Sequence, residues 1–478
     1  MTTVVDEIRR RASEIPEQSA IVEFTTDGRE HRLSYADLVR RVDACVADWE
    51  SGDEAPIRAG DRCGLLAAQG HEFIIYSLAI LQRGQCLVPI SEDYGGEALQ
   101  GFIEKAGLHG LWDLKSEAGF KRLPRPDAVD DREDESFRGL NPAYLRFTSG
   151  TTNSRKGVIL SHQGILERLD GANQVLKITP EDRVLWLLPM AHHLVVSIFL
   201  YLRFGATILL PQNYYPSQVV SLAREEQATV FYASPYHYDM LSGAEDASLL
   251  KDVRLAISTA TGLTSEVAER FYNATGLPLS QALGVIEMGL PVINTERAKE
   301  KPLSLGQVLP HYDVWIRGED GSRIEATGPD SGLGEICIHG PGAFAAYLNP
   351  WTLANDVMKP DGFRTGDLGY FDEDGDLFLL GRRHNRINMA GMKFFCEEVE
   401  SVLQQHPAIQ ECVVKGESHP RMGEIPVADV VVESGNGPLD LNEIFAFCRD
   451  KLSKHKIPME VRVVQEIPKT PTGKIKRW

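Results

Sequence analysis

The chain has 478 residues, more than one hydrophobic core usually supports, because single cores stop growing near ~250–300 residues. The sequence therefore predicts at least two domains. Hydrophobic residues make up 43% and charged residues 25%, which excludes a disordered, collagen-like or disulfide-scaffold protein. The 50 basic residues against 68 acidic ones give a net charge of −18. Because so acidic a surface repels phosphate backbones, we expect no nucleic acid partner.

The cysteines and the N-terminus predict a cytoplasmic protein. The seven cysteines are scattered without a C-x-x-C pair, which indicates buried, reduced thiols rather than a zinc site or a disulfide framework. Residues 1–11 contain acidic and basic side chains without an apolar run, so no signal peptide is expected. The most apolar stretch, Leu185–Gly205, is interrupted by a proline, two histidines and an arginine. It predicts buried core rather than a membrane span.

Short apolar runs alternate with helical patterns in the first part of the chain. The pattern predicts a strand over Arg62–Ala67, a helix over Glu72–Gln82 and a strand over Cys86–Ile90. The same rhythm recurs farther on, at Arg183–Leu188, Ala206–Pro211 and Thr229–Ala233. This alternation favours an α/β fold with mixed or parallel sheets and covering helices. The acidic run Pro124–Glu135 is expected to be a solvated loop.

The pattern changes after Gly375. A strand is predicted over Leu377–Leu380 and ends at Gly381, and alternating residues then predict strands over Glu411–Lys415 and Val427–Glu433. We therefore place a domain boundary near Arg382, followed by a smaller α+β domain.

A polar loop follows the predicted strand Leu145–Phe147. Its residues, Thr148–Val158, are mostly glycine, hydroxyl or basic residues, and backbone N–H groups, hydroxyls and cations together suit a polyphosphate. The spacing is not that of a Walker A loop, and an ordinary polar surface loop is the alternative. Two further clusters, Ser258–Leu263 and Gly284–Glu287, also follow strand-like runs, where open α/β sheets bind ligands.

Thr148–Val158 resembles the signature loop of the adenylate-forming superfamily, which contains acyl-CoA and aryl-CoA synthetases, luciferases and the adenylation domains of peptide synthetases. Six further segments resemble that family's motifs in the same order along the chain: Leu188–His192, Ser258–Leu263, Gln281–Glu287, Arg364–Gly369, Gly381–Arg382 with Gly391, and Pro471–Lys474. The sequence is therefore identified as a divergent member of that superfamily.

The resemblance implies ATP-dependent activation of a carboxylic acid to an acyl-adenylate, with release of pyrophosphate, and then transfer of the acyl group to a thiol. Both reacting groups are anionic, so the site needs cations and N–H donors. Coenzyme A is the expected acceptor. The alternative is the phosphopantetheine arm of an acyl or peptidyl carrier protein, and a second alternative is a catalytically idle nucleotide- or acyl-binding homologue. The oligomeric state stays open.

The resemblance also assigns the site residues. Lys474 would be the catalytic lysine and His192 would line or gate the acyl site, while Glu287 would bind Mg²⁺. ATP or AMP would be bound by Thr148, Ser149, Gly150, Thr151, Thr152, Lys156, Gly262, Ala282, Leu283, Gly284, Asp367 and Arg382. Among these, Asp367 and Arg382 are expected to contact the ribose.

The resemblance also implies the family's domain closure. Residues 1–381 would form a large N-terminal adenylation domain, 382–384 a hinge, and 385–478 a small mobile C-terminal domain. His384 is the hinge residue by position. Several residues depart from the family's usual pattern: Leu283 in place of a stacking tyrosine, Ile286 in place of a threonine, and His384 and Asn388.

The expected acid has no α-amino group. Adenylation domains for α-amino acids carry an aspartate shortly after the second motif, but Met190–Gln212 contains no acidic residue. A buried ammonium without a carboxylate would be costly, so an aryl or alkyl acid is favoured. Its apolar pocket would be lined by Val195, Val196, Tyr232 and Tyr236.

Overall fold

The computed structural model describes residues 2–24, 30–51, 57–116, 119–124, 131–148, 156–211, 213–360, 362–390, 392–432, 440–469 and 475. The described residues form two compact units. Apart from the loop 149–155, the first contains residues up to 313 together with 339–363, and the second contains 314–338 and everything from 364 onward.

The chain forms helices α1 (Val4–Glu14), α2 (Tyr35–Ser51), α3 (His71–Gln82), α4 (Gly96–Ala106), α5 (Asp131–Gly139), α6 (His162–Leu176), α7 (Leu200–Phe204), α8 (Pro216–Glu225), α9 (Pro235–Ser242), α10 (Ser265–Thr275), α11 (Ala354–Val357), α12 (Cys396–Leu403) and α13 (Leu441–Lys451). Its strands are β1 (Ser19–Phe24), β2 (Glu30–Ser34), β3 (Arg62–Leu66), β4 (Cys86–Ile90), β5 (Gly110–Asp113), β6 (Gly119–Arg122), β7 (Pro142–Phe147), β8 (Gly157–Ser161), β9 (Arg183–Trp186), β10 (Thr207–Leu210), β11 (Val230–Ala233), β12 (Leu255–Ser258), β13 (Leu279–Val285), β14 (Gly289–Ile293), β15 (Gln307–Val308), β16 (Asp313–Arg317), β17 (Arg323–Ile324), β18 (Gly334–His339), β19 (Ala346–Leu348), β20 (Thr352–Leu353), β21 (Phe363–Phe371), β22 (Leu377–Arg382), β23 (Arg386–Met389), β24 (Met392–Phe395), β25 (Ile409–His419), β26 (Gly423–Val432) and β27 (Glu460–Val463).

The first unit contains two mixed sheets. One runs β15-β14-β13-β12-β11-β9-β10-β1-β2, and β13, β12, β11, β9, β10 and β1 are parallel to their neighbours in that series. The other runs β20-β19-β8-β7-β4-β3-β5-β6. Every residue of β3 and β4 is buried, as expected for parallel strands covered on both faces. The predicted strand, helix and strand between Arg62 and Ile90 are confirmed as β3, α3 and β4.

The second unit contains the sheet β17-β16-β18-β21-β22 and the sheet β24-β23-β26-β25, with β27 beside β26. Its apolar core joins α12 and α13 to this last sheet. Ion pairs join the first of these sheets to the residues after β22, at Arg383 with Glu335 (3.4 Å) and Arg386 with Glu319 (3.3 Å). The unit therefore includes a sheet that precedes the predicted boundary, and the hinge at 382–384 stays a prediction.

The prediction of a solvated loop over Pro124–Glu135 is wrong at its end, because α5 begins at Asp131. Arg62 reaches this helix from β3. Its guanidinium donates to Asp134 at 3.2 Å and lies 4.8 Å above the ring of Phe137, which is buried. These tertiary contacts fix a helix whose acidic sequence gives little local signal.

Other sequence predictions on burial are confirmed. All seven cysteines are free thiols, six of them buried and Cys45 partly exposed. Burial raises the pKa of the Cys63 and Cys86 thiols, which keeps them protonated. Most of Leu185–Gly205 is buried core. Within the described ranges, no helix is long and apolar enough to cross a membrane.

His71 is a charged histidine that fixes the start of α3. Its ring is hydrogen-bonded to Glu23 of β1 and lies 3.0 Å from the Glu72 carboxylate, which Arg41 of α2 also contacts. His31 of β2 stacks on the ring at 4.9 Å. Burial opposes the charged form, but the hydrogen bonds to the two carboxylates outweigh it and raise the pKa of His71 to about 9.

We expect the stability of the first unit to fall at alkaline pH through this group. Because the folded pKa lies above the ordinary 6.5, the stabilisation is complete below pH 6.5 and is lost as the pH rises through 9. The loss should reach up to about 3 kcal/mol. Denaturant midpoints of wild type and His71→Gln, each measured at acid and alkaline pH, isolate the contribution of His71 to stability. The same pH dependence of the midpoint in both proteins would contradict this prediction.

Candidate active site

The predicted phosphate loop connects two paired strands. Phe147 at the end of β7 pairs with Gly157 at the start of β8, and the Thr148 N–H donates to the Lys156 carbonyl at 2.9 Å. The two ends of the loop are therefore held together, with Lys156 exposed beside them. Four predicted nucleotide-binding residues lie outside the described residues: Ser149, Gly150, Thr151 and Thr152.

Glu287 lies at the end of the motif Gln281–Glu287, in the turn between β13 and β14, and its side chain is buried. The Tyr347 hydroxyl, from β19, donates to its Oε1 at 2.9 Å, which leaves the other oxygen for a ligand. The Lys156 ammonium lies 4.5 Å above the ring of the same tyrosine. Burial and the neighbouring carboxylate raise the pKa of Tyr347 above its usual value, so the phenol stays neutral. The predicted metal ligand and the loop lysine therefore both contact Tyr347, one at its hydroxyl and the other over its ring.

Arg168 of α6 fixes the backbone around Glu287, and sequence reasoning missed it. The guanidinium is fully buried and donates to the carbonyls of Ile286 and Glu287, both at 2.6 Å, and to that of Gly342. Burial lowers its pKa to about 10, which still leaves it charged at neutral pH. The sequence did contain a signal for a buried arginine, because Arg168 lies three positions after Ile165 and therefore on the apolar face of the helix.

The second and third clusters predicted from the sequence do lie together. Gln281 of β13 accepts a hydrogen bond from the Leu263 N–H at 3.3 Å, since β12 and β13 are parallel neighbours. Gly262 and Gly284 are exposed, Ala282 is partly exposed and Leu283 is buried. An inward Leu283 presents no aromatic face to a base, as its departure from the family pattern suggested.

His192 ends a short 3₁₀ turn, Met190–His192, and its carbonyl accepts a hydrogen bond from Arg146 of β7. A π-helical segment, Leu194–Phe199, follows and is distorted at Val196 (φ −87°, ψ 44°). Such segments occur frequently at functional sites. Val195 is buried and Val196 is partly buried, as residues of a pocket wall would be.

Of the two predicted pocket tyrosines, one is packed and one is exposed. The Tyr232 ring stacks on Trp186 at 4.7 Å and an interplanar angle of 14°. Tyr236 is 67% exposed and contacts His237 edge-on at 5.7 Å. Packing therefore supports Tyr232 as a pocket wall and gives no such support to Tyr236.

Asp367 and Arg382 form a polar pair in the second unit. They face each other across β21 and β22, and the Arg382 Nε donates to the buried Asp367 carboxylate at 2.7 Å. Thr365 accepts from the Asp367 N–H at 3.0 Å, and the turn between them is made by Gly366 at φ +73°. The pair is preformed, with Arg382 half exposed toward solvent.

Two further predicted residues carry no side-chain description. His384 lies in a 3₁₀ turn, Arg383–Asn385, directly after β22, and only its backbone is described. Lys474 lies outside the described residues. Their roles as hinge and catalytic lysine stay predictions.

The fold and these residues define a class, the enzymes that activate a substrate with a nucleotide. Residues 8–348 match the family described as AMP-binding enzyme, and residues 398–474 match the AMP-binding enzyme C-terminal domain. The chain belongs to the AMP-binding enzyme family, the adenylate-forming superfamily that the seven motifs predicted.

Curated relatives and solved structures agree with this. The chain is 26% identical over 484 residues to the feruloyl-CoA synthase of Amycolatopsis sp, covering 98% of this chain and 96% of that protein. It is 26% identical over 475 residues to the malonate–CoA ligase of Arabidopsis thaliana, covering 87% and 77%. The O-succinylbenzoate coenzyme A synthetase of Bacillus subtilis, in complex with AMP, superposes with a TM-score of 0.83 at 23% identity, covering 98% and 97%. The predictions of the α/β fold class and of an AMP-forming acid–thiol ligase are confirmed.

Proposed function

We propose that the protein uses ATP to convert an aryl or alkyl carboxylic acid without an α-amino group into an acyl-adenylate, and then transfers the acyl group to coenzyme A. The observation that carries this proposal is the arrangement of Lys156 and Glu287 around Tyr347, beside the closed ends of the predicted phosphate loop. Lys156 would be the cation for the phosphates, and Glu287 the carboxylate for their metal.

The residues fit Mg²⁺. Mg²⁺ in phosphate-transfer sites takes one or two protein carboxylates and fills its remaining positions with phosphate oxygens and water. Glu287 offers one oxygen of this kind, because its other oxygen accepts from Tyr347. When bound, the ion would neutralise phosphate charge and polarise the phosphate oxygens.

The remaining roles follow from the charges. Lys156 would attract the terminal phosphates and Lys474 the reacting carboxylate and α-phosphate, so that two anions can approach each other. The carboxylate of Asp367 suits the two hydroxyls of a ribose, and Arg382 would hold that carboxylate in position from the facing strand. His192 and Tyr232 would border the acyl group.

The relatives and one segment of the sequence support the proposed acceptor and acid. The relatives named above are coenzyme A ligases for an aryl acid and for a dicarboxylic acid, which supports coenzyme A over a carrier protein. The lack of acidic residues from Met190 to Gln212 supports an acid without an ammonium group.

A panel of aryl, fatty and dicarboxylic acids tests the proposal. Each acid is incubated with ATP, Mg²⁺ and either coenzyme A or a phosphopantetheinylated carrier protein. We expect acid-dependent pyrophosphate exchange and an acyl-CoA product identified by its mass. If the acyl group were found only on the carrier protein, the alternative acceptor would be favoured. If no acid supported pyrophosphate exchange, the protein would be the catalytically idle homologue that Leu283 and Ile286 suggest.

A further inference from the structure

In the part of the chain that the structure describes, Arg146 has no carboxylate counterion, and it lies at the edge of the predicted acyl site. It lies in β7, two residues before Thr148 and therefore next to the phosphate loop. Side chains alternate along a strand, and Leu145 and Phe147 face an apolar cluster on one side of β7. Arg146 therefore points to the opposite side, together with Tyr144.

On that side Arg146 reaches the residues assigned to the acyl group. Its Nη1 donates to the carbonyl of His192. Its charge also acts on two phenols: burial raises the pKa of both Tyr144 and Tyr232 to about 12, and Arg146 lowers it in each case. The guanidinium thus lies beside a residue assigned to the acyl group, on the strand that leads into the predicted phosphate loop.

The described residues satisfy only part of this guanidinium. Its Nε is buried without a hydrogen-bond partner, and across the described ranges no carboxylate forms an ion pair with it. A partly buried cation with an unsatisfied N–H is costly unless a ligand supplies the missing acceptor. Two buried arginines of this unit differ, since Arg62 has Asp134 at 3.2 Å and the guanidinium of Arg168 has three backbone carbonyls as acceptors.

We propose that Arg146 binds a carboxylate of the acid substrate. The inference rests on the proposed function and deepens it, because it identifies a residue that selects the substrate. The carboxylate could be the reacting one or a second one on a dicarboxylic acid. A planar guanidinium pairs with a carboxylate through two parallel hydrogen bonds, which a lysine cannot reproduce.

The test compares Arg146→Gln and Arg146→Lys with wild type on matched acids, hexanoate with adipate and benzoate with terephthalate. Pyrophosphate exchange gives KM for the acid and for ATP, and titration calorimetry gives acid binding without turnover. We expect Arg146→Gln to weaken the acid roughly 30-fold or more, and Arg146→Lys less, with KM for ATP changed by less than about threefold.

Ser197→Ala is the matched control. Ser197 donates to the His193 carbonyl, so its loss loosens the same segment without removing charge, and acid binding should stay within about threefold of wild type. If Arg146→Gln weakens the binding of both acids in each pair equally, Arg146 binds the reacting carboxylate. If it weakens only adipate and terephthalate, Arg146 binds the second carboxylate.

Unchanged acid binding in a folded Arg146→Gln protein would overturn the inference, as would a rise in KM confined to ATP. Arg146→Lys keeps the test open if the glutamine variant does not fold. Wild-type protein without any acid-dependent exchange would contradict the proposed function instead, and calorimetry would still decide the role of Arg146.

Discussion

Arg168→Met is expected to lose most of the adenylation activity and to destabilise the first unit by about 3 kcal/mol or more. The substitution is similar in length but removes every donor. The carbonyls of Ile286 and Gly342 would lose this donor, and the Glu287 carbonyl would keep only the Phe344 N–H at 2.7 Å. Each unsatisfied buried acceptor costs roughly 1–3 kcal/mol, so the turn that presents Glu287 should shift.

The Mg²⁺ dependence of pyrophosphate exchange separates positioning from simple destabilisation. If Arg168 positions Glu287, the folded fraction of the variant should need a higher Mg²⁺ concentration for half-maximal exchange. Arg168→Lys keeps the charge but can satisfy fewer carbonyls. Its Mg²⁺ requirement should therefore lie between those of Arg168→Met and wild type.

Arg203→Met is the matched control for Arg168→Met. Arg203 donates to the Leu166 carbonyl at 3.1 Å and pairs with Asp170 on the same helix, α6, but it does not contact the motif Gln281–Glu287. It should lower stability without changing the Mg²⁺ requirement. An unchanged Mg²⁺ requirement in Arg168→Met as well would show that Arg168 has only a structural role.

Lys474→Ala is expected to reduce pyrophosphate exchange by about 100-fold or more, because the proposed role of Lys474 is to supply a cation to two reacting anions. Transfer of the acyl group from a supplied acyl-adenylate to coenzyme A should continue at nearly the wild-type rate. Separate assays of the two half-reactions check this difference.

Lys469→Ala controls for loss of a lysine in the same segment, since Lys469 is paired with Glu411 on the surface. It should leave both half-reactions close to wild type. Equal losses in both half-reactions of Lys474→Ala would mean that Lys474 is not specific to adenylation.

Residues close together in sequence were predicted well, because their geometry follows from strand and helix periodicity. The order of β3, α3 and β4 could be predicted because two short apolar runs enclose a longer helical pattern in the sequence. The sequence predicted ligand-binding clusters after two strand-like runs, and the structure shows those strands to be parallel neighbours linked by Gln281.

Residues that act through distant partners were missed. Tyr347 lies 60 positions from Glu287, and nothing around it in sequence marks a hydrogen-bond donor to a carboxylate. Arg168 and Arg146 appear locally as ordinary polar positions of a helix and a strand. α5 was overlooked for the same reason, since Arg62, far away in the chain, holds it in place. Tertiary contacts of this kind have no local signature.

The Tyr347 side chain also bears on how fast the enzyme can accept its nucleotide. Lys156 and Glu287 have opposite charges, yet in the described part of the chain both contact the same phenol and Lys156 forms no ion pair. A direct ion pair would have to break before phosphate and metal could bind, and that step would add to the activation barrier for association. With Tyr347 as the shared neighbour, Lys156 can leave the ring for a phosphate while Glu287 keeps its hydrogen bond to the phenol and binds a metal through its second oxygen.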